Sequence, residues 1–333
     1  MTLKKIAVLG VGGWGTALSI LWAKKGLPIC LWGKNQSRLK QLQDLRENRT
    51  YLPGIKIPES ISLTSDLKHG ADADLIVFVT PSTALRGIAA ELRQFSIKHD
   101  AAVLSCTKGI EHHTGKRMSE ILSETFPKQA IAVMSGPNLA VEVSRELPTA
   151  TVLACNQAKR ASELQDILSG PRFRIYTGDE LPGIELGGAL KNVFAIAAGA
   201  SDGLGLGDNS KAALVTRALA EMIRLGSRMG GQVNTFYGLS GAGDLIATCF
   251  SKHSRNRRVG EELSSGRSVK EITTAMQLVA EGIPTARSAY ECARKLNVDT
   301  PIIDQVHALL YDGKPAAQAM AELLGRGQKA EGV

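Results

Sequence analysis

Four glycines fall within six residues near the N-terminus, in the run Gly10-Val11-Gly12-Gly13-Trp14-Gly15. This Gly-x-Gly-x-x-Gly spacing can bring a pyrophosphate against bare backbone. Gly10 permits a tight turn, Gly12 removes the side chain that would block the phosphates, and Gly15 lets a following helix pack close to the preceding strand. Elsewhere Lys191 lies among Leu190, Val193, Phe194 and Ile196, an odd place for a lysine without a task. A buried amine near other cations has a lowered pKa and can exchange protons near neutrality. The alternative is a helix-edge lysine whose head reaches solvent. Arg255-Asn256 offers a planar cationic fork and neutral donors, which suit a phosphate. Three more segments are polar or glycine-rich beyond what plain loops need: Thr107-Lys108-Gly109, Ser135-Gly136-Pro137-Asn138 and Gly241 to Thr248.

The elements that must position these residues differ between the two halves. Ile6–Leu9, Pro28–Trp32, Leu75–Val79, Ala101–Ser105, Ile131–Met134 and Thr151–Leu153 are short apolar runs of strand length. They alternate with helical patterns over 17–25 and 36–47. Apolar strands without polar alternation imply a sheet covered on both faces, and alternation with helices implies a parallel, doubly wound α/β fold. After about Pro182 the β-branched runs nearly vanish. Helical periodicity takes over at 212–228, 269–276, 285–296 and 301–310. The expectation is a Rossmann-like dinucleotide-binding domain over 1–180 and an all-helical substrate domain over 181–333, with a frayed tail after Leu324. The glycine run closes a strand and opens a helix, the context that makes it a dinucleotide motif. A helix N-terminus there offers free N–H groups to phosphates. The second strand ends Leu31-Trp32-Gly33-Lys34, without the acid that would select NAD by its ribose 2′-hydroxyl. Lys34, with Arg38 one turn on, could instead attract a 2′-phosphate, so NADP is accepted alongside NAD. The alternative is that both are solvated surface cations.

The composition bounds the rest. The 333 residues are 44% hydrophobic and 22% charged, with net charge +8, ordinary for a globular chain of about two domains. A basic balance fits nucleic acid, an anionic membrane surface or a phosphorylated small molecule, and no run of Lys/Arg is long enough to decide by itself. The five cysteines form no Cys-x-x-Cys pair, which reads as reduced thiols in a cytoplasmic protein. Lys4-Lys5 and the apolar run behind it look like a signal peptide until the glycines break them, so a buried first strand is the better reading. No stretch is apolar for long enough to span a membrane as a helix. The six histidines show no metal spacing, and His112-His113 reads as a surface pair whose rings point apart, so no metal is expected.

Taken together, Glu185-Leu186-Gly187-Gly188-Ala189-Leu190-Lys191-Asn192, Gly241-Ala242-Gly243-Asp244-Leu245 and Ser254-Arg255-Asn256, behind the glycine turn, closely resemble the bacterial-type NAD(P)-dependent glycerol-3-phosphate dehydrogenases. The resemblance runs from Ile6 to about Leu310. Gly13 stands where Ser is common. It implies interconversion of sn-glycerol 3-phosphate and dihydroxyacetone phosphate by hydride transfer, supplying glycerol phosphate for phospholipids. It makes Lys191 the general acid/base, with Asn192 and Asp244 orienting it and the substrate hydroxyls. Thr248, four residues after Asp244, can face the same site if the segment is helical. Asp244 could also cap a helix after Gly243. The resemblance puts Lys108 where substrate and nicotinamide meet, and puts Gly136 and Asn138 in a substrate loop. Ser254, Arg255 and Asn256 become the phosphate clamp, with Arg255 reaching the cofactor. Arg257 and Arg258 read as facing solvent or adding a general positive field. Cofactor contacts fall to Gly10, Gly12, Gly13, Trp14, Gly15, Lys34, Lys108, Ala140 and a late loop with Val279 and Glu281. A homodimer through the helical half is also implied. Two other readings remain: a related two-domain dehydrogenase acting on a 3-hydroxy acid or a different phosphorylated alcohol, against which Arg255-Asn256 and the run Gly241 to Thr248 discriminate, and a non-catalytic dinucleotide sensor, which would need neither Lys191 nor Asp244.

Overall fold

The fold is known from a computed structural model that describes residues 3–276, 279–327 and 330. Gln328, Lys329 and 331–333, in the tail read as frayed, lie outside the described residues. The chain divides into two compact units, one of Met1–Thr107 and Met118–Leu181, the other of Lys108–Arg117 and Pro182–Val333.

The first unit is an eight-stranded sheet of β1 (Ile6–Leu9), β2 (Ile29–Trp32), β3 (Ser62–Thr64), β4 (Leu75–Phe78), β5 (Ala102–Ser105), β6 (Ala130–Ser135), β7 (Thr149–Cys155) and β8 (Phe173–Thr177). Their spatial order is 3-2-1-4-5-6-7-8, so the direction of winding reverses between β1 and β4. Successive residues face opposite sides. Ile6, Val8, Leu75 and Val77 enter one core, and Ala7, Leu9, Ile76 and Phe78 enter the other. Burial on both faces is why these strands are apolar throughout.

The expected parallel order holds from β3 to β6, but β7 runs antiparallel to β6. A parallel return would have to span about 20 Å along the six-residue β6. The only helix in that connection, Ala140–Ser144, covers roughly 7.5 Å. Strand β8 is again parallel to β7. Neither β3 nor β8 stands out in the sequence, because both face solvent in part.

The second unit is built around helix Leu181–Gly203, which is buried on every side from Gly183 to Ser201. Glycines let neighbouring backbones reach it. A Cβ at Gly187 would lie 2.7 Å from the Ser240 carbonyl oxygen, and one at Gly199 would collide with the Arg257 carbonyl. Leu239–Gly243 forms a π-helical turn that runs into helix Asp244–Phe250. Helices Gly207–Arg228, Arg255–Ser264, Gly282–Leu296 and Pro301–Tyr311 complete the core. No helix among the described residues is long and apolar enough to cross a membrane.

Candidate active site

In the first unit the glycine run does what its spacing predicts. Gly10 follows β1 with φ +131°, and a Cβ there would sit 2.5 Å from the Val79 carbonyl oxygen at the end of β4. Gly15 abuts the Gly10 carbonyl too closely for any side chain. At Gly12 an added Cβ would meet nothing within 4 Å, so the backbone faces open space. Gly12 caps helix Gly13–Lys24 without a side-chain hydrogen bond, and the first turn carries no acid. Free amides and the positive end of the helix dipole therefore face that space, which fits a dinucleotide pyrophosphate.

The turn is fastened by a residue without any sequence signal. Asn48 is buried and donates to the Val11 carbonyl and to Thr16 Oγ1, at 2.9 and 2.8 Å. Gly13 lies beside Tyr51 and Ala140; a Cβ there would be 3.1 Å from the Tyr51 carbonyl oxygen and 3.6 Å from the Ala140 Cβ. Trp14 packs toward Phe173, with ring centroids 6.3 Å apart. Past β2, Lys34 is exposed, and Arg38 lies over the Tyr51 ring and donates to its hydroxyl. Arg38 is thus held by an aromatic neighbour rather than freely solvated.

Three hydroxyls at the carboxyl side of the sheet, those of Thr80, Ser105 and Ser135, are buried without a hydrogen-bond partner. Asn138 donates to Thr151 Oγ1 at 2.9 Å, while its buried Oδ1 accepts nothing. Gly136 lies against Thr151, whose Cα would be 3.0 Å from an added Cβ. Ligands of open α/β sheets bind outside the carboxyl ends of the strands, where such acceptors and donors find partners.

In the second unit Lys191, Asp244, Lys108 and Thr248 converge. Lys191 Nζ donates to Thr248 Oγ1 at 2.6 Å and lies 3.0 Å from Asp244 Oδ1. Lys108 Nζ donates to the other carboxylate oxygen, Oδ2. The Thr248 hydroxyl lies 3.3 Å from Asp244 Oδ1. Asp244 and Thr248 share one face of helix Asp244–Phe250, one turn apart. Asp244 does not cap that helix, since Gly243 holds the cap position with no side-chain bond. Side-chain exposure is 9% for Lys191 and 2% for Asp244, so these charges interact through little water. Burial lowers the Lys191 pKa to about 8; Asp244 opposes this fall and Lys108 adds to it. An amine poised there can take a proton at mildly alkaline pH and return it near neutrality.

Behind this cluster runs a chain of amides. Asn192 donates weakly to the Gly188 carbonyl, at 3.5 Å. Asn256 donates to Asn192 Oδ1 at 2.8 Å and accepts from the Gly282 amide at 2.9 Å, which leaves one Asn256 N–H uncommitted to these partners. Ser254 caps helix Arg255–Ser264 and accepts from the Arg257 amide. Arg255 is exposed at the first position of that helix. Glu281 immediately precedes helix Gly282–Leu296, and Val279 is 45% exposed.

Two expectations fail here. Arg257 does not face solvent: it pairs with Asp202 at 2.6 Å and with Glu261 at 2.8 Å, and is 14% exposed. The close contact between Gly199 and the Arg257 backbone draws it inward, whereas Arg258 stays 64% exposed. The rings of His112 and His113 do not diverge either. His113 has φ 65°, which breaks the alternation of regular backbone and brings the ring centroids to 3.6 Å. Sequence reasoning also passed over Arg117, which pairs with Glu185 at 2.8 Å, both largely buried. A glutamate opening an apolar helix was the available signal.

Comparison with known proteins decides the family. The domain family described as NAD-dependent glycerol-3-phosphate dehydrogenase N-terminus matches residues 5–161, and its C-terminus counterpart matches residues 180–321. The chain belongs to the NAD-dependent glycerol-3-phosphate dehydrogenase family. Among relatives named glycerol-3-phosphate dehydrogenase [NAD(P)+], that of Geobacter sp. (strain M21) is 45% identical over 334 residues, covering 99% of each chain. That of Citrifermentans bemidjiense is 46% identical, also with 99% coverage of each. A crystal structure of glycerol-3-phosphate dehydrogenase from Coxiella burnetii has a TM-score of 0.94 at 38% identity, covering 97% of this chain and 99% of that one. As a glycerol-3-phosphate dehydrogenase family member the chain is an NAD(P)-dependent oxidoreductase acting on a CH–OH group.

Proposed function

We propose that the chain interconverts sn-glycerol 3-phosphate and dihydroxyacetone phosphate with Lys191 as the general acid/base. The buried Lys191–Asp244–Lys108 cluster, with its amine near pKa 8, carries this reading. A bound nicotinamide dinucleotide, NAD or NADP, supplies the hydride acceptor in one direction and the donor in the other.

In oxidation, neutral Lys191 takes the proton of the C2 hydroxyl while hydride leaves C2. In reduction, the Lys191 ammonium returns that proton to the carbonyl oxygen. Asp244 and Thr248 hold the amine in place, and Lys108 polarises the substrate oxygen. Arg255, the remaining Asn256 N–H and the N-terminus of helix Arg255–Ser264 bind the phosphate. Gly136 and Asn138 belong to the substrate loop. When a dinucleotide is bound, the amides at Gly12–Gly15 would hold its pyrophosphate, with Trp14 and Ala140 bordering it and Lys34 meeting a 2′-phosphate, and Val279 and Glu281 would be the second unit's cofactor contacts. A cytoplasmic homodimer feeding glycerol phosphate to phospholipid synthesis completes the proposal.

The test is turnover of dihydroxyacetone phosphate with NADH and NADPH, compared between the native chain and Lys191→Ala. General acid–base catalysis contributes roughly 10²- to 10⁴-fold, so kcat should fall by that order while cofactor binding survives. A raised KM with unchanged kcat would make Lys191 a binding residue only.

A further inference from the structure

We propose that His112, His113 and Glu291 form a binding site for a divalent transition-metal ion, with Zn²⁺ the ion of choice, that ties the hairpin at Lys108–Arg117 to helix Gly282–Leu296. Every residue of this site belongs to the second unit. The hairpin is closed by the bridge between Ile110 and Arg117 and by the Glu111 amide donating to the Lys116 carbonyl at 2.9 Å. His112 and His113 stand at its tip, and the left-handed backbone at His113 turns both rings to one side.

His112 Nδ1 lies 3.1 Å from Glu291 Oε2, yet both ring nitrogens of His112 are buried and neither makes a hydrogen bond. Buried ring nitrogens without partners are costly, and a metal ion satisfies one of the two on His112. A simple ion pair explains less. It needs a protonated imidazole aligned on the carboxylate, and it leaves the second ring, tilted 36° to the first with its centroid 3.6 Å away, without a role.

One donor atom from each of the three residues lies within 4.8 Å of the others. Ligands about 2.0–2.1 Å from a shared zinc ion are about 4.2 Å apart at most, so side-chain rotations of about 1 Å gather the set. Two imidazoles and one carboxylate suit zinc, copper or nickel, whereas magnesium and calcium prefer oxygen alone. Arg287 Nε, 3.7 Å from Glu291 Oε1, touches the other carboxylate oxygen and leaves Oε2 to the ion. Lys108 stands at the base of the same hairpin and pairs with Asp244, so the ion braces the segment that presents Lys108.

The experiment is calorimetric titration of the metal-stripped full chain with Zn²⁺, alongside His113→Ala and Glu291→Gln, with circular dichroism confirming that each variant is folded. The expected result is one ion per chain in the native protein and affinity weakened at least ~10-fold in each variant. Co²⁺ should give visible absorption bands in the native chain that His113→Ala abolishes. Failure of the native chain to bind one ion overturns the proposal. So does unchanged affinity in both variants, or binding that survives in them and is lost on alkylating the cysteines.

Discussion

Replacing Asp244 by Asn should move the rising limb of the pH–rate profile for oxidation and leave the cluster's shape nearly intact. Asp244 is the one acid between two lysines: Oδ1 is 3.0 Å from Lys191, and Oδ2 accepts from Lys108. Its charge opposes the fall in the Lys191 pKa that burial and Lys108 produce. Opposite charges about 3 Å apart interact by about 5.5 kcal/mol at an effective dielectric constant of 20, or about four pKa units, which bounds the effect from above. Water entering around the neutral amide and movement of Lys108 reduce it, so a shift of at least about one unit is the expected minimum. The assay is kcat/KM for glycerol 3-phosphate oxidation at saturating cofactor, read from the reduced-nicotinamide absorbance between pH 7 and 10. This ratio reports the free enzyme's ionisations. In the native chain it should rise through about pH 8, as Lys191 loses its proton, and then level off. In Asp244→Asn the limb should lie below about pH 7, leaving a flat profile at a lower plateau. In the reverse direction the sign inverts, since the acid is lost as pH rises. A variant that keeps its limb near pH 8 would show that Asp244 does not govern the amine, and the reasoning would fail.

Two other outcomes follow from different parts of the second unit. Arg255→Ala should raise KM for glycerol 3-phosphate by about 10- to 100-fold, the worth of a charged hydrogen bond of about 1.5–3 kcal/mol; an unchanged KM would put the phosphate elsewhere. Glu221 is fully buried, its carboxylate accepts the Ile302 and Ile303 amides at 2.9 and 2.8 Å, and burial raises its pKa from 4.5 to about 7. The folded chain therefore holds a proton that the unfolded chain has shed, and about 3 kcal/mol of stability is lost as pH rises from 4.5 to 7. Glu221→Gln should flatten that slope in thermal unfolding at pH 5 and 7; equal slopes in native and variant would refute the assignment.

The sheet was legible because its chemistry is local. A strand buried on both faces must be apolar throughout, so β1, β4 and β5 announce themselves in four residues each. β3 and β8 do not, since neighbours rather than their own pattern make them strands. The reversal at β7 depends on the length of one short helix, and no periodicity reports it. The glycine turn was readable for the opposite reason: each glycine answers a specific collision, at Val79 for Gly10 and at Gly10 itself for Gly15. Asn48, which fastens that turn, has no pattern around it and was invisible.

The acid–base cluster shows where residue types stop and topology begins. Lys191 was conspicuous as a charge in an apolar helix, but nothing local to it indicates that Asp244, 53 positions on, should meet it, or that Lys108 should share the same carboxylate. What joins them is backbone proximity. Gly187 lets the turn at Ser240–Gly241 lie directly on helix Leu181–Gly203, and a Cβ on Gly187 would be 3.1 Å from the Gly241 Cα. That contact delivers Asp244, three residues later, to the level of Lys191. The π-helical turn at Leu239–Gly243 adds a residue per turn relative to an α-helix and so sets which face Asp244 presents. The glycines of the Gly-x-Gly-Asp motif therefore act on chemistry only through distance. Side chains at these positions would leave the same acid and the same amine in the chain but too far apart to share a proton's charge.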